Sequence, residues 1–412
     1  LSEFKRGYEK AVHGTEATII PFYLHGLWGS RFSRSSGFLR EARQSGLKRD
    51  IIVSFGKPLP SDTPAYQLKQ HIFDLSFTSW EAYSHIIDPI PVSWVRSAKR
   101  LSFRMGATDV MGEPLGNNRL MTAVFSFANI IRQRSPEQNI GILLPTSSGS
   151  TIANMAVLTL GKTVVNLNYT ASAEALQSAA QQAELKNLYT SKLFLKKLLE
   201  RGIDIATALP NLNLIYMEDL KAGMAKSQLI LTMLAVVIFP TRLLQLLYLR
   251  HVHLDNTAAI LFSSGSEGAP KGVELSHRNL AINSRQIADM LNTREDDVLM
   301  GTLPAFHAFG LLASTFMPLS EGIPIVCHPD PTDAVNIAKG IARYDATILF
   351  GTATFLRLYA RNQRVHPLMF NSLRYVVAGA EKLPPAIRPL FSQRFNKAIL
   401  EGYGTTETSP VA

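Results

Sequence analysis

The sequence predicts an α/β fold in which parallel strands are joined by crossover helices. Short apolar runs alternate with segments of helical periodicity at 140–144, 150–160, 163–167 and 173–183. Strand-like runs return later in the chain, at 258–262, 323–327, 347–350, 374–378 and 398–400. This alternation is typical of βαβ units, because parallel strands need a long connection. Ligands of such sheets bind beyond the carboxyl ends of the strands, so the loops at those ends are the candidate site.

A chain of 412 residues with 46% hydrophobic content is long enough for two domains. The first, 1–90, contains strand-like runs at 17–24 and 50–55, a stretch rich in Gly, Ser and Arg at 26–37, and a helical pattern over about 66–85. The prolines within 87–92 interrupt helix and strand alike. We therefore place the boundary there and assign 91–412 to the second domain.

The composition narrows the classes of partner. The single cysteine, Cys327, excludes an internal disulfide and a cysteine metal cluster, and we expect a packed core thiol. The formal net charge of +10 favours anionic lipid, an acidic protein or nucleic acid. Because no basic block is interleaved with aromatic residues, we expect no nucleic-acid partner.

The segment 227–241 contains no charged residue and is the candidate for contact with a membrane. It is shorter than the roughly 18 to 20 residues that span a bilayer. Pro240, Arg242 and Gln245 further disfavour a spanning helix. Two readings remain: an interfacial helix or hairpin with Lys226, Arg242 and Arg250 facing lipid head groups, or a buried helix.

The loop 263–273, SSGSEGAPKGV, has the composition of a phosphate site and lies just before a helix-start signal at Ser276. Its hydroxyls, flexible backbone and cation come from Ser263, Ser264, Ser266, Gly265, Gly268, Gly272 and Lys271. Such groups suit polyanions. The spacing fits neither the P-loop nor the dinucleotide-binding fingerprint, and taken alone the loop reads as an ordinary Gly/Ser loop.

Three further motifs lie downstream. They are PAFHAFG at 304–310, AGAEKL at 378–383 and EGYGTTET at 401–408, and the last two follow predicted strands. Taken singly, the glycine loops are structural turns, and His307 is a core histidine between Phe306 and Phe309. Taken together and in this order, they form a specific pattern.

That pattern resembles the successive motifs of the adenylate-forming acyl ligase superfamily. LFSSGSEGAPKGVELSHRN, LRYVVAGAEKL and ILEGYGTTETSPV are most similar to the bacterial bifunctional acyl-[acyl carrier protein] synthetase and 2-acylglycerophosphoethanolamine acyltransferase family. GTEATIIPFYLHGLWGSRFS resembles the end of a glycerophospholipid acyltransferase domain. The resemblance implies that 91–412 is the large N-terminal domain of an adenylate-forming enzyme, built from βα layers on parallel sheets and lacking its C-terminal portion. It implies that 1–90 is the C-terminal part of an α/β acyltransferase domain.

The resemblance also implies roles for individual residues. The residues that would bind ATP are Ser263, Ser264, Gly265, Ser266, Gly268, Lys271, Gly379, Ala380, Glu381, Tyr403, Gly404 and Thr406. The residues that would take part in catalysis are His307, Lys271, Thr406 and Glu407. Within these sets, Glu407 would bind Mg²⁺, Tyr403 would lie against adenine, and His307 would lie beside the acyl carboxylate. Gly310, Ala313 and Ser314 would shape the acyl channel.

The activity implied is ATP-dependent activation of a fatty acid to acyl-AMP, followed by transfer of the acyl group to acyl carrier protein. In the full-length protein this activity would be coupled to reacylation of a lysophospholipid. The implied location is the cytoplasmic face of the cell membrane. A long-chain fatty acyl-CoA ligase and an inactive lipid- or nucleotide-binding scaffold remain as alternatives. The family's acyltransferase dyad, His-x-x-x-x-Asp, occurs only as His328 and Asp333, in the wrong domain, and we interpret it as coincidence. Because the ribose-binding aspartate and the catalytic lysine of the family are expected beyond 412, we expect little adenylation by this chain alone.

Overall fold

The structure is a computed structural model that describes residues 6–27, 51–263 and 270–411. The chain divides into two compact units, 1–87 and 88–412, and each is described by itself. Much of the predicted Gly/Ser/Arg stretch 26–37 lies outside the described residues.

The first unit contains a small antiparallel sheet packed against one long helix. Strands β1 (Phe22–His25) and β2 (Ile52–Phe55) pair with each other. The helix Ala65–Ser84 confirms the predicted pattern, and its Ser79 hydroxyl lies 2.7 Å from the Ser54 hydroxyl. The short helix Gly7–Val12 is held by the Glu9 carboxylate, which accepts a hydrogen bond from the Ala65 amide. The predicted strand 17–24 is shorter than expected, and Ile19 forms only an isolated bridge to Leu59.

The segment 87–92 interrupts the helical structure only over 87–89. A helix, Ile90–Arg100, begins inside it, with Pro91 in the first turn. Proline is tolerated there because the first amides of a helix have no intrahelical acceptor.

The second unit contains two mostly parallel sheets. The six-stranded sheet has the order β10-β9-β6-β5-β7-β8, with only β10 antiparallel to its neighbour. Its strands are β5 (Asn139–Leu143), β6 (Thr163–Asn166), β7 (Asn187–Thr190), β8 (Asn213–Tyr216), β9 (Thr257–Ser263) and β10 (Lys271–Ser276).

The seven-stranded sheet has the order β15-β14-β13-β11-β12-β3-β4, with only β4 antiparallel to its neighbour. Its strands are β3 (Met105–Asp109), β4 (Leu115–Gly116), β11 (Leu299–Gly301), β12 (Ile325–Cys327), β13 (Ile348–Gly351), β14 (Tyr375–Ala378) and β15 (Ile399–Glu401). The predicted strand runs are therefore confirmed to within two residues at each end.

Helices connect the strands and cover the sheets. In addition to Ile90–Arg100 they are Asn117–Arg134, Ser148–Thr159, Ala173–Gln182, Lys192–Glu200, Ile205–Ala208, Met217–Gly223, Lys226–Ile238, Thr241–Tyr248, His277–Leu291, Ala308–Leu311, Met317–Glu321, Ala334–Tyr344, Ala353–Arg361 and Ile387–Phe395, with a π-helical turn at Leu312–Phe316 and 3₁₀ turns at Pro367–Phe370 and Thr406–Thr408. The start predicted at Ser276 is confirmed: the Ser276 and Asn279 side chains form a reciprocal capping box.

The core of the second unit lies between these helices and the sheets. Strand β13 is buried along its whole length, as expected for a parallel strand covered on both faces. Cys327 is a free, fully buried thiol, which agrees with its predicted packing role. Burial raises the pKa of this thiol far above its usual value, so it remains protonated.

No single described helix is long and apolar enough to cross a membrane. The bent pair Met217–Gly223 and Lys226–Ile238, which meets at 91°, passes that test only when the two are taken together.

Candidate active site

The four motifs of the sequence analysis lie at the strand ends of the second unit. The loop 263–273 joins β9 to β10, and the motif 304–310 follows β11. The loops 378–383 and 401–408 follow the neighbouring strands β14 and β15. Because β11, β13, β14 and β15 are parallel, their following loops lie at one edge of the seven-stranded sheet.

Only the ends of the predicted phosphate loop are described. Ser263 is half-buried at the end of β9 and pairs with Lys271 at the start of β10. Ser264, Gly265, Ser266 and Gly268 lie outside the described residues. Lys271 is exposed and forms no ion pair with any described residue, so its ammonium group is available to an anion.

The motif 304–310 is locked in place by a close backbone approach. A Cβ atom at Gly310 would collide with the carbonyl oxygen of Pro304, so only glycine fits. His307 begins the helix Ala308–Leu311 and makes ring contact with Phe306 at 4.5 Å between centroids. Its side chain keeps exposed surface, while the surrounding protein lowers the pKa of the imidazole through desolvation. His307 is therefore a neutral histidine at neutral pH.

The loop 378–383 packs directly against that motif. A Cβ atom at Gly379 would lie 2.8 Å from the Phe309 ring. Ala380 has a φ of +67°, in the left-handed region that non-glycine residues rarely adopt. Such outliers cluster at functional sites, which agrees with a place for Ala380 in a binding loop.

Glu381 is already engaged within the protein. Its carboxylate accepts hydrogen bonds from the Thr354 amide at 2.5 Å and the Thr354 hydroxyl at 3.2 Å, at the start of the helix Ala353–Arg361. Partial burial raises the pKa of this carboxyl, but hydrogen bonds from Thr354 and Thr352 outweigh it and hold the pKa below its usual value. A helix N-terminus favours a carboxylate. The side chain thus fixes the loop whose residues Gly379, Ala380 and Glu381 are predicted to bind ATP.

The segment 401–411 crosses the same edge. The Gly402 amide donates to the carbonyl of Ala378 at 2.8 Å, which ties this segment to the preceding loop. Gly404 has no room for a Cβ atom because the Pro410 carbonyl occupies that space. Tyr403 is 76% exposed and is free to contact a ligand. Thr406 is half-buried, while Glu407 is exposed and forms no ion pair with any described residue.

Asn283, on the helix His277–Leu291, holds this segment in place. Its amide nitrogen donates to the Val411 carbonyl at 2.6 Å, and its amide oxygen accepts from the Val411 amide at 3.1 Å. The turn Thr406–Thr408 also lies against β10, which begins at Lys271. The phosphate loop and the threonine turn are therefore neighbours. Sequence reasoning missed Asn283, because a single polar residue in a helical pattern carries no signal of a distant partner.

Three hydrogen bonds join the sheets near this edge. The Asp109 carboxylate, at the end of β3, accepts from the amide and the hydroxyl of Ser148 at 2.9 Å and 2.5 Å. The Thr146 hydroxyl donates to the Leu303 carbonyl at 2.9 Å. Sequence spacing could not reveal these links either, since their partners are far apart in the chain.

The predicted channel residues lie deep in the fold. Gly310, Ala313 and Ser314 are buried, and the last two belong to the π-helical turn Leu312–Phe316. Within the described residues, the Ser314 hydroxyl has no hydrogen-bond partner. Single π-helical turns are frequent at functional sites.

His328 and Asp333 are close in space. The His328 Nε2 lies 3.2 Å from the Asp333 Oδ2, but Asp333 also caps the helix Ala334–Tyr344 by accepting from the Asn336 amide. Burial raises the pKa of the Asp333 carboxyl, and hydrogen bonds from Asn336 and His328 more than offset it. The pair lies in the second unit, so its spacing does not mark an acyltransferase dyad in the first.

The exposed charged groups of this site are compatible with a nucleotide that binds together with its metal ion. Lys271 and Glu407 supply one free cation and one free carboxylate on elements that lie side by side. No cluster of three or more His, Cys, Asp or Glu residues capable of holding a metal occurs among the described residues. Mg²⁺ commonly completes its shell with substrate phosphates and water, so one carboxylate is compatible with it.

The match to a family model decides the class of the protein. Residues 114–412 match the family described as "AMP-binding enzyme". The chain belongs to the AMP-binding enzyme family. This confirms the superfamily prediction, while the use of ATP and the narrower resemblance to the bifunctional carrier-protein synthetase stay predictions.

Curated relatives share parts of the chain. The "Probable 4-coumarate--CoA ligase 2" of Dictyostelium discoideum is 34% identical over 159 residues, which are 38% of this chain and 29% of that protein. The "Medium-chain fatty-acid--CoA ligase" of Escherichia coli (strain K12) is 27% identical over 322 residues, 77% of this chain and 56% of that protein. The "Long-chain-fatty-acid--CoA ligase" of Yersinia pestis is 29% identical over 38% of this chain and 28% of that protein. The chain thus spans at most about half of these relatives.

Solved structures confirm the fold. The ATP-bound MatB from Rhodopseudomonas palustris superposes with a TM-score of 0.62 at 22% identity, covering 78% of this chain and 61% of that one. The N-terminal subdomain of Klebsiella oxytoca NpsA bound to 3-hydroxyanthranilyl-AMSN superposes with a TM-score of 0.63 at 19% identity, covering 80% of this chain and 77% of that one. The second unit therefore has the α/β fold predicted for the large N-terminal domain of adenylate-forming enzymes. The assignment of 1–90 to an acyltransferase remains a prediction.

Proposed function

We propose that the second unit binds ATP and a fatty acid and activates the acid as an acyl adenylate for transfer to the thiol of CoA. The observation that carries this proposal is the placement of three motifs at one edge of the seven-stranded sheet, where the turn Thr406–Thr408 contacts β10 and Lys271, Tyr403 and Glu407 are exposed. Two of the relatives above are fatty-acid–CoA ligases, which supports the substrate and the acceptor.

Each exposed group has a defined task in this proposal. Lys271 neutralises the β- and γ-phosphates, and Thr406 donates a hydrogen bond to the α-phosphate, where the carboxylate attacks and pyrophosphate leaves. Glu407 holds Mg²⁺, which supplies further neutralisation of phosphate charge when bound. The remaining residues of 264–268 would contribute backbone and hydroxyl donors.

His307 serves the acid rather than the nucleotide. Its imidazole is neutral because desolvation lowers its pKa, so a ring N–H can donate to the acyl carboxylate without forming a tight ion pair. Gly379, Ala380 and Glu381 form the wall beside it, since Gly379 packs against Phe309 of the same motif.

A carrier-protein acceptor is the second candidate, and it rests on the motif resemblance given above. It carries with it the lysophospholipid as final acceptor and a location at the cytoplasmic face of the cell membrane. Competition between CoA and acyl carrier protein for the activated acid separates the two. The relatives named above favour CoA.

The nucleotide site is tested by binding of Mg²⁺-ATP to the purified chain, measured by calorimetry. Lys271→Ala and Glu407→Gln should each weaken binding about tenfold or more, because each removes a charge-assisted contact. Lys186→Ala is the matched control, because Lys186 is an exposed lysine beside the opposite end of the six-stranded sheet. Unchanged affinity in Lys271→Ala, or an equal loss in Lys186→Ala, would reject the proposal.

A further inference from the structure

The helices Lys226–Ile238 and Thr241–Tyr248 follow one another on the surface of the second unit, and their inner face is packed. Thr232, Val236 and Leu244 are buried. The Tyr248 ring stacks on Phe125 with 4.0 Å between centroids and 5° between planes. Both helices are therefore firmly seated on the helix Asn117–Arg134 and its neighbours.

Their outer face is also apolar. Seven large side chains on it are 47% to 67% exposed: Ile230, Leu231, Leu234, Val237, Ile238, Leu246 and Leu247. We call these seven residues the apolar helix surface. A helix on a protein surface normally presents polar residues to water, and clustered exposed apolar residues mark an interaction site. The alternative of a fully buried helix, left open by the sequence, does not hold.

The charges within the segment that forms this surface have one sign. Between 226 and 250 the sequence contains Lys226, Arg242 and Arg250 and no acidic residue. All three cations are exposed, and Lys226 and Arg242 form no ion pair with any described residue. A basic rim around an apolar face complements a surface that is apolar within and negative at its boundary.

A fixed contact keeps the apolar helix surface outward. The Lys99 ammonium donates to the carbonyls of Val236 and Val237 at 2.7 Å and 3.2 Å, at the end of the first helix. Burial lowers the pKa of Lys99, and a cation at a helix C-terminus is favourable. The helix is thus held at its end as well as along its inner face.

We propose that the apolar helix surface docks onto the head-group region of an anionic lipid bilayer, with both helices lying in the plane of the membrane. Docking of a second copy is disfavoured by charge. A two-fold interface would bring six cations together with no carboxylate from this segment to pair with them. An anionic bilayer supplies both the apolar interior and the missing negative charge.

The test is cosedimentation of the chain with vesicles of phosphatidylcholine containing phosphatidylglycerol, compared with phosphatidylcholine alone. Leu231→Gln, Ile238→Gln and Leu246→Gln combined should weaken binding to the anionic vesicles at least tenfold.

Arg242→Gln combined with Arg250→Gln should remove most of the preference for the anionic vesicles. The matched control combines Met111→Gln, Met290→Gln and Leu368→Gln, whose side chains lie outside the surface and are at least as exposed, and it should bind as the wild type does.

Equal binding by the surface variant and the wild type would overturn the proposal. So would absent vesicle binding by the wild type, with light scattering showing a dimer that the surface variant converts to monomer. Circular dichroism establishes that each variant is folded. The assay needs no nucleotide, so its failure and the failure of the ATP-site proposal are separately visible.

Discussion

The loop 304–310 and the segment 401–411 lie at the same edge of the seven-stranded sheet, but different forces hold them. The loop is part of the core: Ala305, Phe306 and Ala308 are buried. The segment is largely exposed and depends on a few hydrogen bonds, chiefly those of Gly402 and Asn283. The first region therefore sets the shape of the site, and the second presents exposed groups to a ligand. Substitutions should damage folding in the first and ligand binding in the second.

The largest expected effect is in the loop. Gly310→Ala places a methyl group 2.0 Å from the Pro304 carbonyl oxygen, in a loop whose residues Ala305, Phe306 and Ala308 are buried. We expect a loss of about 4 kcal/mol in the free energy of unfolding, at the upper end for overpacking. Denaturant unfolding monitored by circular dichroism measures it.

Gly223→Ala is the control, because a Cβ atom there meets nothing within 4 Å. It should change the free energy of unfolding by less than about 0.5 kcal/mol. Equal stability of the two variants would mean that the loop is not rigid.

A second effect concerns the helix that anchors the segment. His277 begins it, is fully buried, and has no hydrogen-bond partner for either ring nitrogen within the described structure. Burial lowers the pKa of this histidine from 6.5 to about 4. Between pH 6.5 and 4 the unfolded chain therefore binds a proton at His277, whereas the folded chain does not. The stability contribution is complete above pH 6.5 and is lost as the pH falls towards 4, by about 3 kcal/mol.

Comparison of His277→Leu with the wild type isolates this contribution from other titrating groups. Unfolding measured from pH 7.5 to 4 should show a shallower decline for the variant. Parallel curves would show that His277 does not titrate as its burial requires.

The smallest expected effect concerns the attachment of the segment 401–411 to the helix His277–Leu291. Asn283→Ala removes both hydrogen bonds to Val411 and should cost about 1 to 2 kcal/mol, because each such bond contributes little net stability. The main consequence should be faster proteolysis within 401–411, followed by gel electrophoresis. Asn213→Ala, which removes a side-chain bond to Asn187 at the other end of the six-stranded sheet, should leave that cleavage rate unchanged. An identical rate in Asn283→Ala would mean that other contacts hold the segment.

The sequence predicted the parts of this molecule that depend on local pattern. Apolar runs such as 347–350 became buried strands, and the Ser276 cap began a helix where predicted. The predicted interruption at 87–92 extended too far, because Pro91 lies in the first turn of a helix, where proline is tolerated. The sequence also could not reveal that the Glu381 carboxylate accepts a hydrogen bond at the start of a helix. Nor could it reveal that Asn283 bonds to Val411, which lies 128 residues later in the chain. Such contacts depend on the assembled sheets, and no spacing in the sequence encodes them.

The bond between Asp109 and the Ser148 amide has a consequence for dynamics. Because this amide donates across the gap between the two sheets, it is shielded from solvent only while the sheets stay together. Its rate of hydrogen–deuterium exchange is therefore a local gauge of their separation. If that rate matches global unfolding, the two sheets form one cooperative body.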